Sequence, residues 1–191
     1  MSEVVKQTVS GKRKKWRNQN GFTLAELAIV LMIGALIVAA AMIVVPRVLA
    51  NIRAGKITSA LSTAIPAIQT AYQNQTSFNN LTTAQVAQNG WMGTSFTEYN
   101  GGSPTGNLLT QWGTITFAPI NGGTTGQGTF TNIPTKECQN IAQEFTNDMY
   151  LTASVNGTAI KAGVNNVDLT ASGTQCSSTS TNTIVFTFGR A

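Results

Sequence analysis

Nineteen consecutive residues, Leu27 to Val45 (LAIVLMIGALIVAAAMIVV), carry no charge and no strongly polar side chain. Wound as an α-helix at 1.5 Å per residue, the run is about 28 Å long, close to the ~30 Å hydrocarbon core of a bilayer. Eleven of the nineteen are Leu, Ile or Val. Each favours insertion by roughly 0.5 kcal/mol, so the segment as a whole favours the membrane by several kcal/mol. The competing reading is a buried helix of a soluble core, but such helices rarely lack a polar face over this length. A membrane segment is therefore expected.

The charges give it a direction. Lys6, Lys12, Arg13, Lys14, Lys15 and Arg17 precede the run against Glu3 alone, while Arg47, Arg53 and Lys56 follow it. The positive-inside rule leaves the N-terminus in the cytoplasm and sends residues from about Pro46 onward across the membrane. The chain's formal +5 would ordinarily suggest a nucleic-acid or anionic partner. Residues 1–21 hold all of that excess, and six bases balance six acids over the rest. No nucleic-acid partner is expected. Only 10% of residues are charged, and histidine is absent. That excludes Ser-His-Asp and Cys-His nucleophile systems and every His-ligated metal site. No catalytic residue, cofactor or metal ligand is expected. A secretory signal would be cut after its apolar region. This apolar run is too long for a typical signal and continues into further helix, so a signal anchor, or a segment cut ahead of the run, fits better.

The junction reads Asn20-Gly21-Phe22-Thr23-Leu24-Ala25-Glu26-Leu27. A carboxylate at the mouth of a transmembrane helix is costly, up to ~3 kcal/mol if carried to the bilayer centre. It needs a partner, and none is expected within the segment. Cutting after Gly21 would expose a new α-amine on Phe22, one helical turn from Glu26, within one chain or between neighbours. Gly21, Phe22, Thr23, Leu24 and Glu26, with the apolar run directly after them, resemble the class III leader of type IV pilins and pseudopilins. The resemblance implies that a prepilin peptidase cuts between Gly21 and Phe22, that Phe22 is N-methylated, and that Glu26 guides assembly. A carboxylate parked in the headgroup layer is the alternative for Glu26.

Beyond the membrane segment, Ile57, Leu61, Ile65, Ile68 and Tyr72 form one helical stripe. Pro46 and Pro66 should kink that helix. The resemblance implies a long N-terminal helix whose second half packs into a globular head. Arg47, Arg53 and Lys56 read as a solvated or headgroup-facing set, or as a pairing site for a neighbouring subunit. After Asn74 the composition turns to Thr, Asn, Gly, Ser and Gln. Thr82-Thr83 should cap a short helix through Gln88, and residues 100–107 and 121–128 read as loops between which Trp112 to Pro119 is a strand. Phe130 opens another short extended piece. A helix is expected over about 136–147 with Cys138, Ile141, Ala142 and Phe145 on one face. Tyr150 to Lys161 reads as a hairpin turning at Asn156-Gly157, and Thr183 to Phe188 as a last strand. Glu137, Glu144 and Asp148 read as scattered helix-surface acids. The N-x-Thr sequons at Asn74, Asn80 and Asn156 carry little weight outside a eukaryotic secretory context.

The fold class expected is α+β: a long transmembrane and assembly helix packed on an antiparallel sheet. Residues 1–21 would be a removable leader, 22–45 the membrane or filament-core helix, 46–74 its amphipathic continuation, and 75–191 the head. Cys138 and Cys176 are the two cysteines, both placed outside the cytoplasm. The favoured reading is one disulfide worth on the order of 4 kcal/mol, with two free thiols or a redox pair as alternatives. A C-terminal disulfide also resembles the pilin pattern. The helix around TKECQNIAQEF, the Val-Asn-Gly hairpin and the final Ile-Val-Phe strand are similar to type IVb pilins of the PilS type. Phe22 as the first mature residue is a type IVa habit, whereas the 21-residue leader and large head look IVb-like.

The resemblance implies a structural, non-enzymatic subunit, most simply the major pilin. It would move from an inner-membrane pool, with the head in the periplasm, into an extracellular homo-oligomeric helical filament serving adhesion, conjugation or related surface contact. Its partners would be other copies, prepilin peptidase, the inner-membrane assembly machinery and minor pilins. A minor pilin or a secretion pseudopilin is the alternative. A membrane-anchored exported enzyme is the remote one, since the head lacks a G-x-S-x-G motif and a phosphate loop in context.

Overall fold

A computed structural model describes residues 22–164 and 166–190. The described residues divide into two units, with the boundary between Met42 and Ile43. Helix α1, Leu24–Tyr72, contributes to both. In the first unit every described side chain is exposed.

In the second unit α1 continues through Tyr72 with Pro46 and Pro66 inside it, and neither proline ends the helix. Pro66 lies on an exposed position, where water can take the Ser62 carbonyl that it leaves without a helical donor. The apolar stripe is buried as its period requires. Ile57, Leu61, Ile65, Ile68 and Tyr72 enter the core, joined by Ala50, Ala54 and Ala64, whose small side chains allow close approach.

The remaining elements are α2 (Thr83–Gln88), β1 (Thr97–Asn100), β2 (Ser103–Leu109), β3 (Thr114–Ile120), β4 (Thr125–Pro134), α3 (Thr135–Glu144), β5 (Tyr150–Val155), β6 (Thr158–Ala162), α4 (Leu169–Ser178) and β7 (Thr181–Phe188). Among the described residues, seven strands make one antiparallel sheet in the order β1-β2-β3-β4-β7-β5-β6. The last strand of the chain is thus interior, between β4 and β5. Its side chains Ile184, Phe186 and Phe188 share one core with the second half of α1. Gln69 of α1 donates to the Gly189 carbonyl at 2.8 Å, and the Tyr72 ring reaches Phe188 through Phe78. The α+β architecture expected from the sequence, a long helix on an antiparallel sheet, is the one observed.

Several local expectations hold for the reasons given. Thr82 caps α2 by accepting the Gln85 N–H. Thr83 accepts the Phe117 N–H at 2.9 Å, fastening α2 to β3. The β5–β6 turn places Asn156 at φ 51° and Gly157 at φ 83°, the paired positive values that a two-residue hairpin needs.

Others are corrected. Residues 100–107 are largely strand, with β2 beginning at Ser103 after a turn at Gly101-Gly102, whereas 121–128 divide into a 3-10 turn at Asn121–Gly123, as expected, and the start of β4 at Thr125. Local glycine content reads as turn, but in β4 glycine makes room for aromatic rings. A Cβ on Gly126 would stand 2.5 Å from the Phe188 ring, and one on Gly128 would stand 2.2 Å from that of Phe186. The short piece expected at Phe130 is the middle of β4. Helix α4 gives no signal in the sequence, because LTASGTQCSS has no apolar period and is rich in poor helix formers. It is held from outside: Asp168 accepts the N–H groups of Thr170 and Ala171, and Cys176 is covalently tied to α3.

Candidate functional site

The junction residues fold into a defined helix start. Thr23 Oγ1 accepts the Glu26 N–H at 3.2 Å, and Glu26 Oε2 accepts the Thr23 N–H at 2.9 Å and its hydroxyl at 3.0 Å. This is the reciprocal capping box that a Thr-x-x-Glu sequence can form. It corrects the expectation that Glu26 lacks a partner within its segment; the Thr-x-x-Glu spacing is itself legible in the sequence. Both bonds fall on Oε2, and Oε1 makes none among the described residues. The carboxylate is held over the first helical turn, where the helix dipole favours negative charge. Phe22 is 84% exposed beside it, and Gly21, the other half of the expected cleavage bond, lies outside the described residues. From Phe22 through Leu49 every side chain is exposed, including the whole apolar run. Eleven bare Leu, Ile and Val side chains in water forgo roughly 1.5–3 kcal/mol each, so this surface requires lipid or protein around it.

Past the run, the three bases have different surroundings. Arg53 lies 3.7 Å from the carboxylate of Glu137, which is only 5% exposed. Glu137 is thus no surface acid, and Arg53 has a partner within its own chain. Lys56 is exposed and borders a cleft of about 340 Å³ walled by Phe96, Leu109 and Trp112. Glu98, on the same cleft, accepts hydrogen bonds from Thr105 at 2.6 Å and Asn107 at 2.8 Å, which hold its carboxyl below the usual range. Arg47 lines a second cleft with Lys136 of α3.

Cys138 of α3 and Cys176 of α4 form a buried disulfide with Cα atoms 5.7 Å apart. The two-thiol and redox readings are set aside accordingly. Beside it, buried Asn182 donates to the Ile133 and Cys176 carbonyls and accepts from Asn156. Asn156 in turn donates to the Gln175 carbonyl and accepts the Thr183 N–H. This network, with Asn182 buried and Asn156 exposed at its edge, fixes the hairpin, α4 and β7 to one another. It also commits the amide of the Asn156 sequon.

The acids do not converge. Burial raises the pKa of Glu144, while Asp168 serves as the α4 cap. Tyr150, almost fully buried, has a hydroxyl without a hydrogen-bond partner among the described residues. Burial, with a smaller part from the charge of Glu144, pushes that phenol far above its ordinary range. Among the described residues no group of three or more His, Cys, Asp or Glu side chains could hold a metal.

A family profile described as PilS N terminal matches residues 51–189, and one described as a prokaryotic N-terminal methylation motif matches residues 16–42. Among solved structures, the type IVb pilin of Salmonella typhi is similar over 71% of this chain and 99% of its own, at 19% identity and a TM-score of 0.54. TcpA, a type IV pilin of Vibrio cholerae El Tor biotype, is 15% identical over 71% of this chain and 98% of its own, with a TM-score of 0.49. No curated protein sequence matches. The Salmonella likeness bears on the fold of the head and the methylation motif on the junction.

Proposed function

From the premise that this chain belongs to the type IV pilin family, of PilS type, we propose that it is the major structural subunit of an extracellular pilus. The carrying observation is the bare apolar surface from Phe22 to Leu49 on a helix whose later residues are core to a head. Such a surface is equally satisfied by lipid tails and by the same surface of other copies, so transfer between them need cost little overall. The subunit would wait in the inner membrane with its N-terminus cytoplasmic and its head periplasmic, then enter a helical filament. Pilins are structural subunits, and catalysis has no part in this reading.

On this reading residues 1–21 are the leader, 22–45 the membrane and then filament core, 46–74 the continuation and 75–191 the head. Prepilin peptidase would cut between Gly21 and Phe22, with N-methylation of Phe22. The capping box supports a specific role for Glu26. It uses only the amide and hydroxyl of Thr23, both of which survive cleavage, and it leaves Oε1 for the Phe22 amine of an adjacent subunit. That pairing would set register by leaving misplaced copies with an unneutralised charge in an apolar environment. The inner-membrane assembly machinery and minor pilins would be its further partners, and adhesion, conjugation or a related surface contact its use.

N-terminal sequencing with intact-mass measurement on filaments sheared from cells tests this directly. The expected species begins at N-methyl-Phe22, is oxidised at Cys138 and Cys176, and is the bulk of the filament. Recovery only as uncut membrane protein would overturn the proposal, and recovery in trace amounts beside another pilin would reassign the chain as a minor subunit.

A further inference from the structure

Six bases lie between residues 46 and 191, and three are committed internally. Arg53 pairs with Glu137, Lys161 is buried and donates to the Asn147 carbonyl at 2.7 Å, and Arg190 donates to the Gln75 carbonyl at 2.7 Å. Arg47, Lys56 and Lys136 are exposed and have no ion partner among the described residues. Two of these, Arg47 and Lys136, line one cleft of about 290 Å³, although 89 positions separate them in the chain. Its remaining walls are mostly amides, Asn51, Gln139 and Asn140, with Asn140 donating to Asn51 at 2.7 Å. Among the described residues, no carboxylate lines the cleft.

Its place along α1 defines what it would meet. Arg47 stands two residues past Val45, about 3 Å further along the helix axis, and the headgroup layer of a bilayer is about 6 Å thick on each side. Bases on the translocated side run against the topological bias that the leader establishes. Once a leader is removed, no Lys or Arg would remain on the other side of the segment. We propose that the cleft between Arg47 of α1 and Lys136 of α3 binds the phosphate of an anionic phospholipid headgroup, holding the subunit at a fixed depth in the outer face of the membrane. The inference rests on the reading that Leu27–Val45 spans a bilayer. Two cations flanking a set of amide donors match a phosphodiester, which offers charge and several acceptors but no donor of its own.

The test uses the full chain in phosphatidylcholine nanodiscs holding a trace of spin-labelled phosphatidylglycerol or spin-labelled phosphatidylcholine. The immobilised fraction of each gives the relative association constant. A base near an anionic surface contributes about fivefold at low salt, so Arg47→Gln with Lys136→Gln should lower the phosphatidylglycerol preference by about 25-fold. The basic leader contributes equally to every variant and cancels in that comparison. Arg190→Gln removes one charge away from the cleft and should leave the preference unchanged. The proposal is overturned if the double variant keeps the wild-type preference, or if Arg190→Gln costs as much as one cleft base. It is also overturned if the double variant shifts only the monomer–dimer ratio, which would assign the bases to acids of a second copy. A chain that does not enter the bilayer overturns this inference and the membrane reading together, whereas one that enters without the 25-fold drop overturns this inference alone.

Discussion

Adding a single methyl group at Gly128 probes the packing decision at the centre of the head. Gly128 pairs with Phe186 across the β4–β7 ladder, and a Cβ there would stand 2.2 Å from Phe186 Cζ and 2.6 Å from Cε1. Carbon atoms prefer about 3.5 Å or more, so the ring would have to retreat by about 1.3 Å. It has nowhere to go. Phe186 is fully buried, stacked on Phe145 at 5.3 Å and Phe130 at 5.7 Å, with Tyr150 edge-on at 5.5 Å. Overpacking of this kind costs about 1–3 kcal/mol, offset by about 0.4–1 kcal/mol from the narrower unfolded ensemble of alanine. Gly128→Ala should therefore destabilise by about 1–2 kcal/mol and lower Tm by about 2–8 °C in a chain of this length. Near-UV circular dichroism of the full chain in detergent, followed through thermal unfolding with the disulfide intact, reads both the aromatic cluster and Tm. In a Phe186→Leu background the same methyl should cost almost nothing, a coupling of about 1–2 kcal/mol. Gly173, in the middle of α4 with open space around it, supplies the opposite sign: alanine there should stabilise by about 0.5–1 kcal/mol. The reasoning fails if Gly128→Ala costs the same in both backgrounds, or if it stabilises the wild-type chain.

Tyr150→Phe removes a buried hydroxyl that has no partner while keeping the ring against Phe145. Urea unfolding should show equal or greater stability, by up to about 1 kcal/mol, and a loss of several kcal/mol would mean that the hydroxyl is satisfied. Glu144 has its pKa raised by burial, so the native state holds its proton more tightly than the unfolded chain does. Stability should then decline as pH rises from the ordinary carboxylate value through the raised one, and Glu144→Gln should flatten that decline in urea midpoints taken between about pH 4 and 7. Replacing Cys138 and Cys176 by Ser opens a 38-residue separation and should cost about 4 kcal/mol, a loss that reductant reproduces in the wild type but not in the double variant. Glu26→Val should leave membrane insertion and leader cutting intact, by fractionation and intact mass, yet abolish filaments; normal piliation would count against the assembly role.

What the linear order determines here is whatever a short window can express. The apolar run Leu27–Val45, the stripe from Ile57 to Tyr72, the buried face of α3 and the Asn156-Gly157 turn each depend on residues within one or two turns of themselves, and each was readable. The junction is of the same kind, since the Thr23–Glu26 capping box needs only a Thr-x-x-Glu spacing. Tertiary structure decided the features whose cause lies far along the chain. Gly126 and Gly128 read as turn until β7 lays the rings of Phe188 and Phe186 over them from about 60 residues away. Helix α4 has no apolar period and depends on the α3 disulfide for anchorage. Glu137 reads as a surface acid until Arg53 meets it across 84 positions, and Arg47 as a solvated base until α3 brings Lys136 to the same cleft. Periodicity reports which face a residue shows, because a helix or strand repeats every few residues. It carries nothing about which distant side chain will occupy the space beyond that face, and steric and charge complementarity are settled only there.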